Sequence, residues 1–228
     1  MISKNLLKKW ASILNIIGCL QFIILTSIAM LYYAGGTYAD STPTNYQFWY
    51  NFFSDLGSTV AHSGNSNKTA FIFFLIAFSI WGLSQIPFFV SLTFLFKHIK
   101  NLRIFSYTGS ILGVLTGICY IGIAFTPSNF LNPLHEFFVG IAFSSIFISN
   151  ILYSIAIFRN KEFSNFYAII LTISAVILAI YFILLYLNPS IITPEGLLIQ
   201  ATGQKVMIYT LLICGILLGY GSLRHKLS

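Results

Sequence analysis

The sequence carries very little charge for its length. Only 7% of its 228 residues are Asp, Glu, Lys or Arg and 57% are hydrophobic, whereas a soluble domain carries about 25% charged residues. A chain this poor in charge cannot cover the surface of a soluble protein, so we expect an integral membrane protein that contacts the lipid bilayer. The net charge of +7 does not indicate a nucleic-acid partner, because membrane topology accounts for it.

Cysteine pairs and the usual metal-binding and nucleophile motifs are also missing. Cys19, Cys119 and Cys214 lie in separate apolar segments, no two of them share a CxxC spacing, and they give no indication of disulfides or metal binding. The chain has no HxxxH or HExxH pair and no GxSxG. We therefore predict no cofactor. The first apolar run lacks an A-x-A-like end, and we interpret it as a retained helix rather than a cleaved signal.

Six apolar stretches are each long enough to cross a bilayer. They are predicted at about 11–34, 69–96, 104–125, 132–158, 163–187 and 203–223. The predicted fold is therefore an all-α, single-domain bundle of six transmembrane helices. Glycines recur every four residues in the third and sixth spans, which favours close helix packing inside the bundle. These are Gly109, Gly113, Gly117, Gly215 and Gly219.

The basic residues predict the orientation of the bundle, because cytoplasmic loops are enriched in Lys and Arg. Only Lys68 and Lys205 fall on the side opposite the termini. The other ten of the 12 basic residues share the termini's side, namely Lys4, Lys8, Lys9, Lys97, Lys100, Arg103, Arg159, Lys161, Arg224 and Lys226. We therefore predict that both termini are cytoplasmic, in the cell membrane if the source is prokaryotic. The acids sort the other way: Glu162 is inside, and Asp40, Asp55, Glu136 and Glu195 are outside.

The outer segment 48–62 has a helical period. Asn51, Asp55, Ser58 and His62 are spaced to share one face of a helix. Aromatic and aliphatic residues fall on the other face, which is typical of an interfacial amphipathic helix. The polar face either meets water or turns inward over the mouth of the bundle, and both interpretations fit the pattern. A free flexible loop is the third alternative, and the periodicity argues against it.

The start of the fourth span, Asn132 to Glu136, fixes a histidine beside an acid. Asn132 is predicted to cap this helix and Pro133 to lie in its first turn, where the helix dipole favours the carboxylate of Glu136. Acid–base chemistry by His135 with Asp55 or Glu136 requires only hydrogen-bond reach. These three are the candidate catalytic residues. The candidate ligand-binding residues are Asn51, Ser54, His62, Asn129 and Lys205.

Two alternatives concern the ionisable residues. Lys205 either extends to the lipid headgroups or pairs with Asp55 or Glu136 inside the bundle. Asp55, His62, His135 and Glu136 have the donor types of a zinc site. Because they come from two distant segments without a ligand-pair spacing, a metal is not supported.

Two motifs resemble those of known membrane protein families. Asn51-Phe52-Phe53-Ser54-Asp55-Leu56-Gly57 resembles the N-x-x-S-[DE]-L-G signature of a family of small six-span bacterial and archaeal membrane proteins of unknown function. The run Phe125-Thr126-Pro127-Ser128-Asn129 followed by His135 resembles that family's second motif. The pattern is also similar to the Frag/DRAM/Sfk-type family of eukaryotes, which includes autophagy modulators and a factor for lipid remodelling of GPI anchors. The resemblance implies a six-helix bundle with a polar cluster on the non-cytoplasmic side.

Three functions fit these patterns. The first is a non-cytoplasmic polar pocket that binds or modifies a lipid headgroup, lined by Asp55, His135, Glu136 and Lys205. The second is a non-catalytic sensor or scaffold in which these residues form a structural ion-pair lock. The third is a small transporter, which is disfavoured because transporters carry polar or unwound positions near the midplane, whereas the span centres here are apolar apart from isolated serines, threonines and Gln85. The sequence does not determine the oligomeric state or whether there is catalysis.

Overall fold

The described chain is entirely helical apart from loops and one isolated β-bridge. The computed structural model describes residues 3–96, 100–160, 163–187 and 189–225. Lys97, Lys161, Glu162 and Lys226, which entered the charge count, lie outside the described residues. The described helices are α1 (Lys4–Leu31), α2 (Phe53–Leu56), α3 (Lys68–Leu92), α4 (Lys100–Ala124), α5 (Asn132–Phe158), α6 (Asn165–Leu187) and α7 (Pro194–Arg224), and a 3₁₀ turn over Thr93–Leu95 extends α3.

Six of these helices are long and apolar enough to cross a membrane, namely α1 and α3 to α7. A helix needs about 20 residues to span the hydrocarbon core, and these have between 23 and 31 residues. The prediction of an all-α bundle with six spans is confirmed, and the chain is a multi-pass membrane protein.

The helices that differ most from their predicted bounds are α1 and α7, and both begin earlier than predicted. The Ser3 hydroxyl accepts a hydrogen bond from the Leu6 amide at 3.2 Å, which caps α1 before its basic first turns. Thr193 does the same for Gly196 at 3.3 Å, with Pro194 in the first turn of α7. These capping signals lie in polar stretches, which a hydropathy criterion excludes.

The six long helices form a closed ring. Each packs against the next along the chain, and α7 packs back against α1. The hydroxyls of Ser12 and Ser222 hydrogen-bond at 2.9 Å across this last contact, and the buried Lys8 ammonium donates to the carbonyl of Ser222. Aromatic residues fill the ring, with Trp81 stacked on Tyr120 at 4.2 Å between centroids.

The glycine repeats lie at helix contacts within the chain. A Cβ on Gly113 would lie 2.2 Å from the ring of Phe89, and one on Gly117 would lie 2.7 Å from the carbonyl oxygen of Gly82. Both contacts join α4 to α3, so these glycines allow the two backbones to approach closely. Gly215 packs against α1 in the same way, because a Cβ at this position would lie 2.9 Å from the Cys19 sulfur.

The extra outer helix is present but much shorter than the predicted segment 48–62. It covers only Phe53–Leu56, and its residues are largely buried rather than interfacial. The helix is limited by side chains that bond to nearby backbone: the Asn51 amide oxygen accepts from the Gln47 amide at 2.8 Å, and the Asp55 carboxylate accepts from the Phe52 amide at 2.8 Å. Asn and Asp compete with helical hydrogen bonding in this way.

Candidate functional site

The candidate residues lie at one end of the ring, which we call the loop face. It carries residues 32–67, which we call the cap, together with the connections 125–131 and 189–193. The cap is fastened to the 125–131 connection, because the Thr59 amide donates to the Asn129 side-chain oxygen at 2.9 Å and the hydroxyls of Ser58 and Ser128 lie 3.0 Å apart. Asn129 is exposed and serves as part of this clasp.

Asp55 is the centre of a buried hydrogen-bond network in the cap. Its side chain is 2% exposed. One carboxylate oxygen accepts from the Asn51 amide at 2.9 Å and from the Phe52 backbone at 2.8 Å, while the other lies 3.2 Å from Nε2 of His62. His62 is partly exposed, at 24%. Every Asp55 oxygen is therefore occupied by a group of the cap itself.

Lys205 is buried on α7 and does not extend to the headgroups. It is 2% exposed, and its ammonium donates to the backbone carbonyl of Asn51. The rings of Tyr46, Phe48 and Phe53 surround it at 5.2 to 5.8 Å between Nζ and ring centroid, within the range of cation–π attraction. No described carboxylate lies within 4.0 Å of this ammonium.

Asn51 joins the two buried charges. Its side-chain amide donates to Asp55 and also to the Gly36 carbonyl, both at 2.9 Å, while its backbone oxygen accepts from Lys205. We call Asn51, Asp55, His62 and Lys205 the Asp55–Lys205 network. Because burial of one charge alone is costly, the opposite charge nearby helps to compensate each. The network fastens the cap to α7.

Tyr46 supports the same network as a neutral donor. Its hydroxyl donates to the carbonyls of Asn51 and Phe52 at 3.1 and 3.0 Å. Burial, and after it the negative charge of Asp55, raises the pKa of the Tyr46 hydroxyl well above its ordinary value. Burial and Asp55 raise the pKa of Tyr33 as well. Both hydroxyls therefore keep their protons at physiological pH.

His135 lies apart from this network. It is 5% exposed, and its Nδ1 lies 2.7 Å from the carbonyl oxygen of Thr126. A ring nitrogen facing a carbonyl must carry the proton, so Nε2 of the neutral ring is an acceptor. His135 lines a cavity of about 20 Å³ under α2, together with Ser54 and Gln204. We call it the His135 cavity. The rest of its wall is apolar, from Phe53, Phe74, Phe78, Ile123, Val139, Phe143 and Ile208.

The structure therefore divides the predicted cluster into separate groups. Asn51, Asp55, His62 and Lys205 form one group, and His135 with Ser54 forms another. Glu136 belongs to neither, because it is exposed and accepts from the Asn132 side chain at 2.8 Å. Asn132 is the first helical residue and makes no capping bond, so the prediction that it caps α5 is wrong by one position. The cap position is held by Leu131, and the Asn132 amide is engaged along the helix instead.

Two important polar residues escaped the sequence analysis. Gln204 accepts from the Phe53 amide at 2.7 Å, which ties α2 to α7. Asn67, 1% exposed, donates to the Ser58 carbonyl at 2.8 Å and accepts from the Ala34 amide at 3.2 Å. Polar residues at the ends of apolar spans were the available signal, but the Phe53 partner of Gln204 lies 151 positions away and the Ala34 partner of Asn67 lies 33 positions away.

The middle of the bundle is also more polar than the sequence analysis assumed. The Gln85 amide donates to the Asn15 side chain at 2.9 Å, and Asn15 donates to the Gly215 carbonyl at 2.8 Å. Asn150 donates to Ser174 at 3.1 Å. Gln85 and Asn150 line a second cavity of about 30 Å³. The sequence analysis weighed Gln85 alone among these amides.

Within the described ranges, no three His, Cys, Asp or Glu side chains gather as metal ligands would. Comparisons of the chain with protein-family models, with curated proteins and with solved structures give no match.

Proposed function

We propose that this membrane protein binds the headgroup region of a lipid at its loop face, with the His135 cavity as the polar centre. The observation that carries the proposal is the unused hydrogen-bonding capacity around this cavity. Among the described residues, no hydrogen bond uses Nε2 of His135, the hydroxyl of Ser54 or the side-chain NH₂ of Gln204. A lining with one acceptor and two donors suits a hydroxyl, phosphate or ester oxygen.

The position of the cavity supports a lipid rather than a soluble ligand. His135 is the fourth residue of α5, so it lies about 5 Å below the start of a membrane-spanning helix. A helix of 27 residues is about 40 Å long and the hydrocarbon core is about 30 Å thick, so we expect this depth to lie near the boundary between headgroups and hydrocarbon. Ser54 and Gln204 are half-buried, which gives the cavity a rim open to its surroundings. With both termini cytoplasmic, as we propose from the basic residues, this boundary belongs to the outer leaflet.

Lipid binding is tested by native mass spectrometry of the purified full-length protein. The protein is incubated in detergent with dioleoyl-phosphatidylglycerol or dioleoyl-phosphatidylcholine, and the bound lipid is counted. His135→Leu removes the acceptor and is expected to weaken binding about tenfold, which corresponds to about 1.4 kcal/mol. Asn132→Leu, at an exposed position on the same helix, is the matched control. Equal lipid retention by the wild type and His135→Leu refutes the proposal.

The second candidate is a non-catalytic sensor or scaffold in which the Asp55–Lys205 network is a structural lock. Two observations favour it. The described hydrogen bonds of the Asp55 carboxylate all come from the cap, and Lys205 is buried. Under this alternative, changes in the network alter the stability of the cap, and changes at His135 leave lipid binding unaffected. The two candidates therefore differ in the outcome of the same experiment.

A small transporter remains the least supported candidate. The two cavities lie in successive layers of the ring, and Phe78 of the upper wall packs on Trp81 of the lower one at 5.9 Å between centroids. Aromatic rings thus fill the axis between the described cavities, and a solute path requires them to move.

A further inference from the structure

We propose that the His135 cavity is a catalytic site for a carboxylic ester of a lipid, with Ser54 as the nucleophile and His135 as the general base. The inference rests on the proposed lipid-binding function and adds a reaction to it. It follows from the state of the His135 ring, the placement of Ser54, and the orientation of the Gln204 amide.

The His135 ring is prepared to accept a proton into the cavity. The Thr126 carbonyl, 2.7 Å from Nδ1, fixes the tautomer and the ring orientation. In serine hydrolases a buried carboxylate has this role, and its purpose is to leave Nε2 as the base. A backbone carbonyl performs the orienting part of that task without a charge. Asp55 does not perform it, because its oxygens bind Asn51, Phe52 and His62.

Ser54 is held in place by hydrogen bonds to its neighbours while its own hydroxyl is unengaged. The two residues before Ser54 are both anchored through their backbone amides. The Phe52 amide donates to the Asp55 carboxylate at 2.8 Å, and the Phe53 amide donates to the Gln204 side-chain oxygen at 2.7 Å. The Ser54 hydroxyl has no described hydrogen bond, and its residue lines the same cavity as His135. The network around Asp55 thus acts as the positioning device for the adjacent Ser54.

No direct hydrogen bond joins Ser54 to His135 in this structure. The cavity that they share is large enough for a group that hydrogen-bonds to both. A space of about 20 Å³ accommodates one water or one oxygen-sized group. Nucleophile and base are often loosely placed without substrate and draw together in the reactive complex. A reacting ester carbonyl entering from the half-buried side of Ser54 would lie between these groups.

Gln204 supplies the polar group that the developing charge requires. Its side-chain oxygen accepts from the Phe53 amide, so its NH₂ group, which has no described hydrogen bond, is the donor that this lining residue can offer to the cavity. Removal of one donor aimed at the oxyanion of an acyl-transfer intermediate slows known hydrolases by about 100- to 1000-fold. The apolar remainder of the wall suits the first carbons of an acyl chain.

The proposed reaction has two steps, acylation of Ser54 and its hydrolysis. His135 Nε2 takes the proton of the Ser54 hydroxyl as the oxygen attacks the ester carbon. The bond from that carbon to the alcohol oxygen then breaks, and the proton passes to the departing alcohol. In the second step a water gives a proton to His135 Nε2 as its oxygen bonds to the acyl carbon. The bond from that carbon to the Ser54 oxygen then breaks, His135 returns the proton to that oxygen, and the carboxylic acid leaves. Water is the only co-reactant.

The test uses a fluorescent fluorophosphonate, which labels activated serines covalently, on the purified full-length protein. The wild type is expected to be labelled at Ser54, as located by peptide mass spectrometry, and Ser54→Ala is expected to lose this label. His135→Gln is expected to lower the labelling rate by about 100-fold or more, the usual contribution of a general base. Ser66→Ala, an exposed serine in the same cap, is the matched control and keeps the wild-type rate.

Thermal unfolding of each variant shows whether a loss of labelling reflects misfolding. If Ser54→Ala unfolds, Ser54→Cys retains a nucleophile and is tested by His135-dependent alkylation with iodoacetamide. Release of fatty acid from dioleoyl-phosphatidylglycerol vesicles provides the second readout, again compared with Ser54→Ala. Lipid binding without labelling or ester cleavage overturns the catalytic inference and leaves the proposed function intact. Lipid binding that is equal in the wild type and His135→Leu overturns both.

Discussion

Replacing Lys205 by methionine tests whether the two buried charges depend on each other. The change keeps an unbranched side chain among the rings of Tyr46, Phe48 and Phe53 but removes the donor to Asn51. It also removes a buried cation from the network around Asp55, which is 2% exposed, and leaves His62, at 3.2 Å, beside that carboxylate. Because Lys205 bonds to the Asn51 carbonyl and not directly to Asp55, the expected cost is that of a buried hydrogen bond to a charged group, about 1.5 to 3 kcal/mol, out of a typical total stability of about 5 to 15 kcal/mol.

The free energy of unfolding is measured by tryptophan fluorescence as detergent micelles are titrated with a denaturing detergent. Lys68→Met, at an exposed position near the same face, is expected to change it by less than about 0.5 kcal/mol. The double variant Asp55→Asn/Lys205→Met removes both charges and is expected to lose less than the sum of the single changes, by about 0.5 to 3 kcal/mol. Strict additivity, or a cost below about 1 kcal/mol for Lys205→Met, refutes the lock.

Three further predictions concern packing, the cap and the topology. Gly113→Val is expected to destabilise the bundle by about 1 to 3 kcal/mol through overpacking, because its Cβ would meet Phe89 at 2.2 Å, whereas Gly140→Val, with nothing within 4 Å of the Cβ, is expected to be tolerated in the same unfolding assay. Asn67→Ala leaves buried backbone groups unpaired, should cost about 1 to 3 kcal/mol, and is expected to make limited proteolysis of the cap faster. Asn65→Cys, an exposed cap position, is expected to react with a membrane-impermeant maleimide on intact cells. The wild type, whose three cysteines are buried, is the unlabelled control. Reaction of Asn65→Cys only after lysis contradicts the proposed orientation.

The membrane spans could be predicted from the sequence because hydropathy is a local property. The fourth span illustrates this: the predicted range 132–158 is the observed α5 (Asn132–Phe158). The polarity of a helix end is also local, but it misled the boundary of α7. Its first residues are Pro194-Glu195-Gly196, a sequence that resembles a turn, and they are nonetheless capped and helical.

The arrangement of the candidate residues could not be predicted, because it depends on contacts between distant segments. Lys205 meets Asn51 across more than 150 positions, and Gln204 meets Phe53 across 151. The helical period of 48–62 correctly grouped Asn51, Asp55 and His62, whose side chains meet at the Asp55 carboxylate. A four-residue helix flanked by loops brings them together, rather than the long helix that the period predicted. Nothing in the periodicity separates His135 from Asp55, because side-chain direction at a helix start depends on the neighbouring loops.

Closure of the ring between α1 and α7 has a consequence for biosynthesis. The first helix carries Lys8, Ser12 and Asn15 as buried polar groups, and their described partners include Ser222 and Gly215 of the last helix. A membrane protein is inserted from its amino terminus, so these groups lack their α7 partners until about 200 further residues have been made, although Asn15 gains Gln85 of α3 earlier. An unpaired polar group in hydrocarbon costs several kcal/mol. Until α7 is made, α1 therefore exposes unpaired polar groups in the membrane. We expect a chain truncated before α7 to be degraded faster than the full-length protein for this reason.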